Sequence, residues 1–139
     1  MYHRILYATD GSAAARKALA HARDLAQKYA AELILVHVFR RIEDFGKSPY
    51  FSELEEDRKR AGETVIGQAM AELQDSGIVV HIEPTQGDAA QAILNVAAVR
   101  RCDLIVMGSR GLGTFQGVVL GSVSDRVVRH APCPVLIVR

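Results

Sequence analysis

Short apolar runs and longer amphipathic stretches take turns along the chain, and this alternation restricts the fold more than any other sequence feature. Ile5, Leu6, Tyr7 and Ala8 form the first apolar run, followed by Thr9, Asp10, Gly11 and Ser12, a turn with helix-capping chemistry. Over residues 12–29, Ala15, Leu19, Ala22, Ala26 and Tyr29 recur at three- and four-residue steps, as on one face of a helix. Residues 33–39 are almost continuously hydrophobic, the pattern of a strand covered on both faces. A long polar connection over 40–51 then leads to a second helix, whose start is marked by Ser52 and Glu55 as a capping box. Leu54, Ala61, Val65, Ala69 and Leu73 are its expected buried face, the charges of 53–60 its solvated face, and Gly77 its stop. Strands over 78–82, 103–107 and 135–138, a helix from Gly87 and Asp88 and another over 122–130 complete the pattern.

Strands alternating with helices predict a parallel sheet with right-handed crossovers. The expectation is an α/β fold: a single domain over residues 1–139, with a five-stranded, doubly wound, Rossmann-like parallel sheet. A chain of 139 residues is long enough to close one core, and no repeat or linker interrupts it. The net charge of +1 lacks the basic excess that nucleic-acid binding uses. Apolar runs such as Leu33, Ile34, Leu35 and Val36 are too short to cross a bilayer, and the N-terminus lacks the features of a secretion signal. No membrane or nucleic-acid partner is therefore expected, and the location is expected to be cytoplasmic. Cys102 and Cys133 are too few for a disulfide framework or a zinc site and read as small buried thiols. The five histidines form no metal-binding pair.

In open parallel sheets, ligands bind beyond the carboxyl ends of the strands, where strand order reverses. Residues 9–12, Val38 and the segment from Gly108 onward fall there. That last segment holds five glycines in the fourteen residues 108–121. Such a loop can adopt positive φ, approach a ligand closely and point successive N–H groups at an anion. The helix starting near Ser122 adds unpaired N–H groups and its positive dipole end, and Ser122 and Ser124 add hydroxyls. Together these features suit a phosphate. The GxxxxGK[ST] motif fails for want of a lysine before Ser122, and GxGxxG fails because Gly117 comes one residue late.

The spacing that fits is Gly108, two residues, Gly111, nine residues, then Gly121 and Ser122. Here the sequence resembles the ATP-binding branch of the universal stress protein family, whose signature is G-x2-G-x9-G-[ST]. Residues 5–12 resemble the family's opening strand and turn, 33–38 its second strand and 132–138 its closing strand. The resemblance implies that Gly108, Gly111, Gly121, Ser122, Val123 and Ser124 contact the triphosphate and ribose. It implies that Asp10 faces the ribose or a phosphate-bound magnesium or manganese ion. Val38 would offer backbone groups to the adenine edge, Ala8 and Thr9 would line the base pocket, Met107 would lie beside the nucleotide, and Arg110 could reach the phosphates. Asp10 or Ser12 also suits the cap of the first helix, and Ser122 with Asp125 also reads as a capping box.

The functional expectation is a nucleotide-dependent stress-response or regulatory module. No water-activating base stands out beside the loop in the sequence, so hydrolysis is expected to be slow at most. An adenylating enzyme is disfavoured because Thr9, Asp10, Gly11, Ser12 and Ala13 lack the paired glycines of an SGGxDS-like loop. A dimeric interaction or scaffold protein with an empty loop is the other alternative. Val135, Leu136, Ile137 and Val138 form a short apolar strand, which the resemblance places at a sheet edge, and a homodimer through it is expected.

Overall fold

The three inner strands present large apolar residues to both sides, so the sheet must be covered twice, and the described helices do this with one pair per face. A computed structural model describes residues 1–38, 51–85, 87–109 and 120–139, with Phe51 described in its backbone only. In chain order the elements are β1 (Arg4–Thr9), α1 (Ala13–Tyr29), β2 (Glu32–His37), α2 (Phe51–Leu73), β3 (Val80–Pro84), α3 (Ala89–Val99), β4 (Leu104–Gly108), α4 (Ser122–His130) and β5 (Val135–Val138). The five strands are parallel in the order β3-β2-β1-β4-β5, which places β1 at the centre and β3 and β5 at the edges. The doubly wound α/β sheet expected from the alternation is the sheet observed.

Alternate residues of the central strands divide between two cores. Ile5, Tyr7, Leu33, Leu35, Leu104 and Val106 pack under α1 and α2, while Leu6, Ala8, Ile34, Val36, Ile105 and Met107 pack under α3 and α4. The buried stripe of α1 is nearly all alanine (Ala15, Ala18, Ala22 and Ala26, with Leu19), so this helix lies close against the sheet. Its start follows from the sequence: Ser12 is the N-cap, and its Oγ accepts the Ala15 N–H at 3.2 Å. One position depends on that close packing. A Cβ on Gly108 would lie 2.9 Å from the backbone carbon and Cβ of Ala14 and 2.9 Å from the Ala15 nitrogen.

Two elements depart from expectation. β3 begins at Val80 rather than Ile78, because residues 74–79 are needed to turn the chain back, with Asp75 (φ 60°) and Gly77 (φ 76°) in left-handed conformations. A shift of two residues preserves the facing of every side chain, so the pattern of the strand is unaffected. The second departure matters more. α2 ends at Leu73, and Ser52 lies inside it rather than at its cap. Of its expected buried face only Ala69 and Leu73 are buried; Val65 is half-buried, Ala61 exposed, and Leu54 40% exposed. The cause is length. At 23 residues α2 is about 34 Å long, whereas strands of this sheet run about 20 Å at most. Its N-terminal half therefore overhangs the carboxyl ends of the strands. Among the described residues, no helix is long and apolar enough to cross a membrane.

Gly108→Ala should lower stability by about 1–3 kcal/mol, since the added methyl meets backbone rather than a movable side chain. Urea unfolding checks this; an unchanged midpoint would mean that α1 shifts outward at no cost.

Candidate functional site

Among the described residues few polar side chains are buried, and those that are gather in one place. The buried polar residues among those described are Thr9, Ser12, His37, Ser109 and Ser124, all at the carboxyl end of the sheet. They surround or adjoin a cavity of about 470 Å³ beside the point where strand order reverses between β1 and β4. The volume lies within the range of small-molecule sites, roughly 300–1,000 Å³.

The structure brings most of the sequence-predicted residues together here. Ala8, Thr9 and Asp10 line the cavity from the end of β1, Val38 from the end of β2, and Met107 and Gly108 from the end of β4. Gly121, Ser122, Val123 and Ser124 line it from the start of α4. Arg110 and Gly111 lie outside the described residues, as do residues 40–50 of the polar connection.

Local hydrogen bonds explain how each edge is held. Thr9 Oγ1 accepts the Gly11 N–H at 3.1 Å, and Asp10 Oδ1 accepts the Ser12 N–H at 2.9 Å, folding the β1–α1 turn back on itself. Gly11 has φ 82°, and a Cβ there would lie 2.7 Å from Val65 Cγ2, so this turn also runs directly beneath α2. The Val38 N–H donates to the Thr9 carbonyl at 3.3 Å. The Tyr7 hydroxyl donates to the Ala15 carbonyl at 2.7 Å, and burial pushes its pKa up to about 12.

The start of α4 differs from the expected capping box. Gly121, with φ −71° and ψ 166°, is the N-cap, and no side chain among the described residues caps the helix. Ser122 is the exposed first helical residue, and Asp125 pairs instead with Arg129 at 3.0 Å. The leading N–H groups of α4 consequently stand at the cavity lining without a side-chain acceptor among the described residues. Neither Gly108 nor Gly121 adopts a positive φ; Gly108 is needed for its missing Cβ. Ser124 is committed to structure as well as to the lining. Its hydroxyl reaches the Ser109 carbonyl at 2.7 Å and the Gly121 carbonyl at 3.2 Å. The Ser109 carbonyl also accepts the Gly121 N–H at 2.7 Å, while the Ser109 N–H donates to Val138 of β5 at 2.8 Å.

Sequence reasoning missed His37, the lining residues Ala15 of α1 and Ala89 and Ile93 of α3, and one whole wall of the cavity. His37, the last residue of β2, is buried in the lining; burial lowers its pKa below the ordinary 6.5, against the opposing pull of the Asp10 carboxylate. Its signal was adjacency to Val38 at a strand end. The missed wall is α2, which contributes Arg58, Ala61, Gly62 and Val65. Their spacing of three, four and seven residues marks a single helix face. Away from the cavity, Cys102 and Cys133 are free thiols, and burial pushes both upward, Cys102 to about 12. No cluster of three or more His, Cys, Asp or Glu side chains suited to a metal occurs among the described residues.

Comparison with known proteins places these features in a family context. The profile of the universal stress protein family matches residues 1–139. A universal stress protein from Thermus aquaticus is 41% identical over 142 residues, covering 100% of both chains. The solved structure of the universal stress protein UspA from Lactobacillus plantarum superposes with a TM-score of 0.89 at 29% identity, covering 99% of this chain and 98% of that one. A universal stress protein crystallised in complex with cAMP superposes with a TM-score of 0.75 at 28% identity, covering 99% of this chain and 97% of that one.

The depressed pKa of His37 makes a signed prediction. An unfolded chain takes up its proton at pH values where the folded chain still refuses it, so His37 supports folding fully above about pH 6.5. That support declines as pH falls through the folded-state value. Urea unfolding from pH 8 to pH 5 should show a smaller acid-side loss in His37→Gln than in wild type. Parallel curves would assign the acid sensitivity to other groups.

Proposed function

The chain belongs to the universal stress protein family, and we propose that it is an adenine-nucleotide-binding module with ATP as its ligand. In this reading residues 1–139 act as one domain, in the cytoplasm, as a nucleotide-dependent regulator in stress response. The observation that carries it is the start of α4: a helix N-terminus without a side-chain cap, begun by a glycine and opening on a cavity of about 470 Å³. Such an end offers free N–H groups and a favourable dipole to a phosphate chain. A related protein of the same fold was crystallised in complex with cAMP, which supports a nucleotide as the class of ligand.

The roles are those the family resemblance implies, carried by residues that line the cavity. Gly121, Ser122, Val123 and Ser124 would meet phosphate and ribose, with Gly111 and Arg110 supplied by the loop outside the described residues. Ala8, Thr9 and Met107 would surround the base, and Val38 would meet its edge through the carbonyl, since its N–H already donates to Thr9. Asp10 is the carboxylate at hand for the ribose or for a magnesium or manganese ion. A single carboxylate suits an ion held mainly by the nucleotide's own phosphates. The proposal is one of binding and assigns no catalytic residue.

Calorimetric titration of nucleotide-stripped protein with Mg-ATP tests this reading with two variants. Gly121→Val should abolish binding by crowding the phosphate approach. Ser122→Glu puts a negative charge at the first turn of α4, which favours the helix, so it should keep or raise the melting temperature while abolishing binding. Wild-type protein that binds no ATP would overturn the proposal.

Dimerisation through β5 belongs to the same proposal. Ile105 N–H donates to Pro134 and Ser109 N–H to Val138, so the backbone groups of Val135 and Ile137 point away from β4. They form an open edge bearing Val135, Leu136 and Ile137, all half-buried. Ile137→Pro removes one outward donor. Light scattering should show a dimer for wild type and a monomer of unchanged circular dichroism for the variant. A dimer in both would exclude this edge as the contact.

A further inference from the structure

The overhang of α2 gives the cavity a wall with its own chemistry. Arg58, Ala61, Gly62 and Val65 share one helix face, and that face lines the cavity. Val65 fixes the location, because it lies against Gly11 at the β1–α1 turn. Arg58 stands two turns nearer the N-terminus of α2, about 10 Å farther along the helix axis. From Val65 to Arg58 the wall thus changes from apolar to cationic. Among the described residues lining the cavity, Arg58 is the lone lysine or arginine, and Asp10 is the lone carboxylate.

Charge makes this arrangement consequential. Where no divalent ion lies between them, a phosphorylated ligand entering beside the Asp10 carboxylate meets a repulsion that an uncharged nucleoside does not. A guanidinium in the lining of the same cavity offsets it, and its five N–H donors exceed what any one partner uses. We infer that Arg58, placed on the cavity wall by the overhanging half of α2, distinguishes phosphorylated nucleotides from nucleosides at this site. The inference rests on the nucleotide reading of the cavity and adds to it a residue outside the glycine motif. It also gives the unburied face of α2 a purpose: Ala61 and Val65 cover the apolar part of a ligand whose phosphates Arg58 holds.

Titrations with ATP, AMP and adenosine separate this role from a structural one. Arg58→Met keeps the apolar stem and removes the charge, and Arg58→Gln keeps polarity instead. Each should weaken ATP by about tenfold or more and AMP by less, while changing adenosine affinity less than about twofold. Arg58→Lys should recover part of the loss, since it restores the charge without the planar fork. Equal weakening of ATP and adenosine, or no weakening of either, in variants that melt like wild type would overturn the inference and leave the nucleotide reading standing. If wild-type protein binds neither ATP nor adenosine, the nucleotide reading falls and the inference with it.

Discussion

The first turn of α1 is seated directly on the end of β4, and the arrangement of the site depends on that contact. Three interactions converge on Ala15: its N–H is capped by Ser12, its carbonyl accepts the Tyr7 hydroxyl, and its nitrogen abuts the place where Gly108 has no side chain. β1 and β4 are neighbours at the centre of the sheet although nearly a hundred residues separate them in sequence. Holding the exit of β1 against the end of β4 sets the width of the crevice at which the strand order reverses. The cavity is therefore a product of backbone packing first and of side-chain chemistry second.

α2 then decides how deep the crevice becomes. Its C-terminal half is anchored through Ala69 and Leu73, while its N-terminal half extends past the strands and roofs the cavity. A helix matched to the strands in length would have left a shallow notch. The apolar face that seemed destined for the sheet is shared between two surfaces, one packed against protein and the other lining an open volume.

This division explains which features could be read from the sequence. Alternation identified the nine elements seen among the described residues, because helical and strand periodicities are written into local residue order. The strand ends carrying Thr9, Asp10 and Val38 followed, since the position of ligands in parallel sheets depends on topology, while Ala8 and Met107 were reached through the family resemblance. Arg58 was hidden because periodicity tells which residues share a face and says nothing about what that face meets. Ser52 and Ser122 misled for a related reason. Each has a partner at capping-box spacing, but the point where the chain enters a helix is settled by the preceding segment, and at α4 Gly121 occupies it. Gly108 was found by its place in a motif, while its demonstrable role is contact with α1, a relation between residues almost a hundred positions apart.

Ser109 gives the molecule a mechanical junction. Its N–H holds the end of β5, and its carbonyl holds both the backbone entry to α4 and the Ser124 hydroxyl. The mouth of the cavity and the outer edge of the sheet thus hang from opposite sides of one residue, without an intervening flexible segment. Whatever strain is applied at the helix entry reaches the sheet edge across two hydrogen bonds, and any energetic coupling carried by that path is reciprocal.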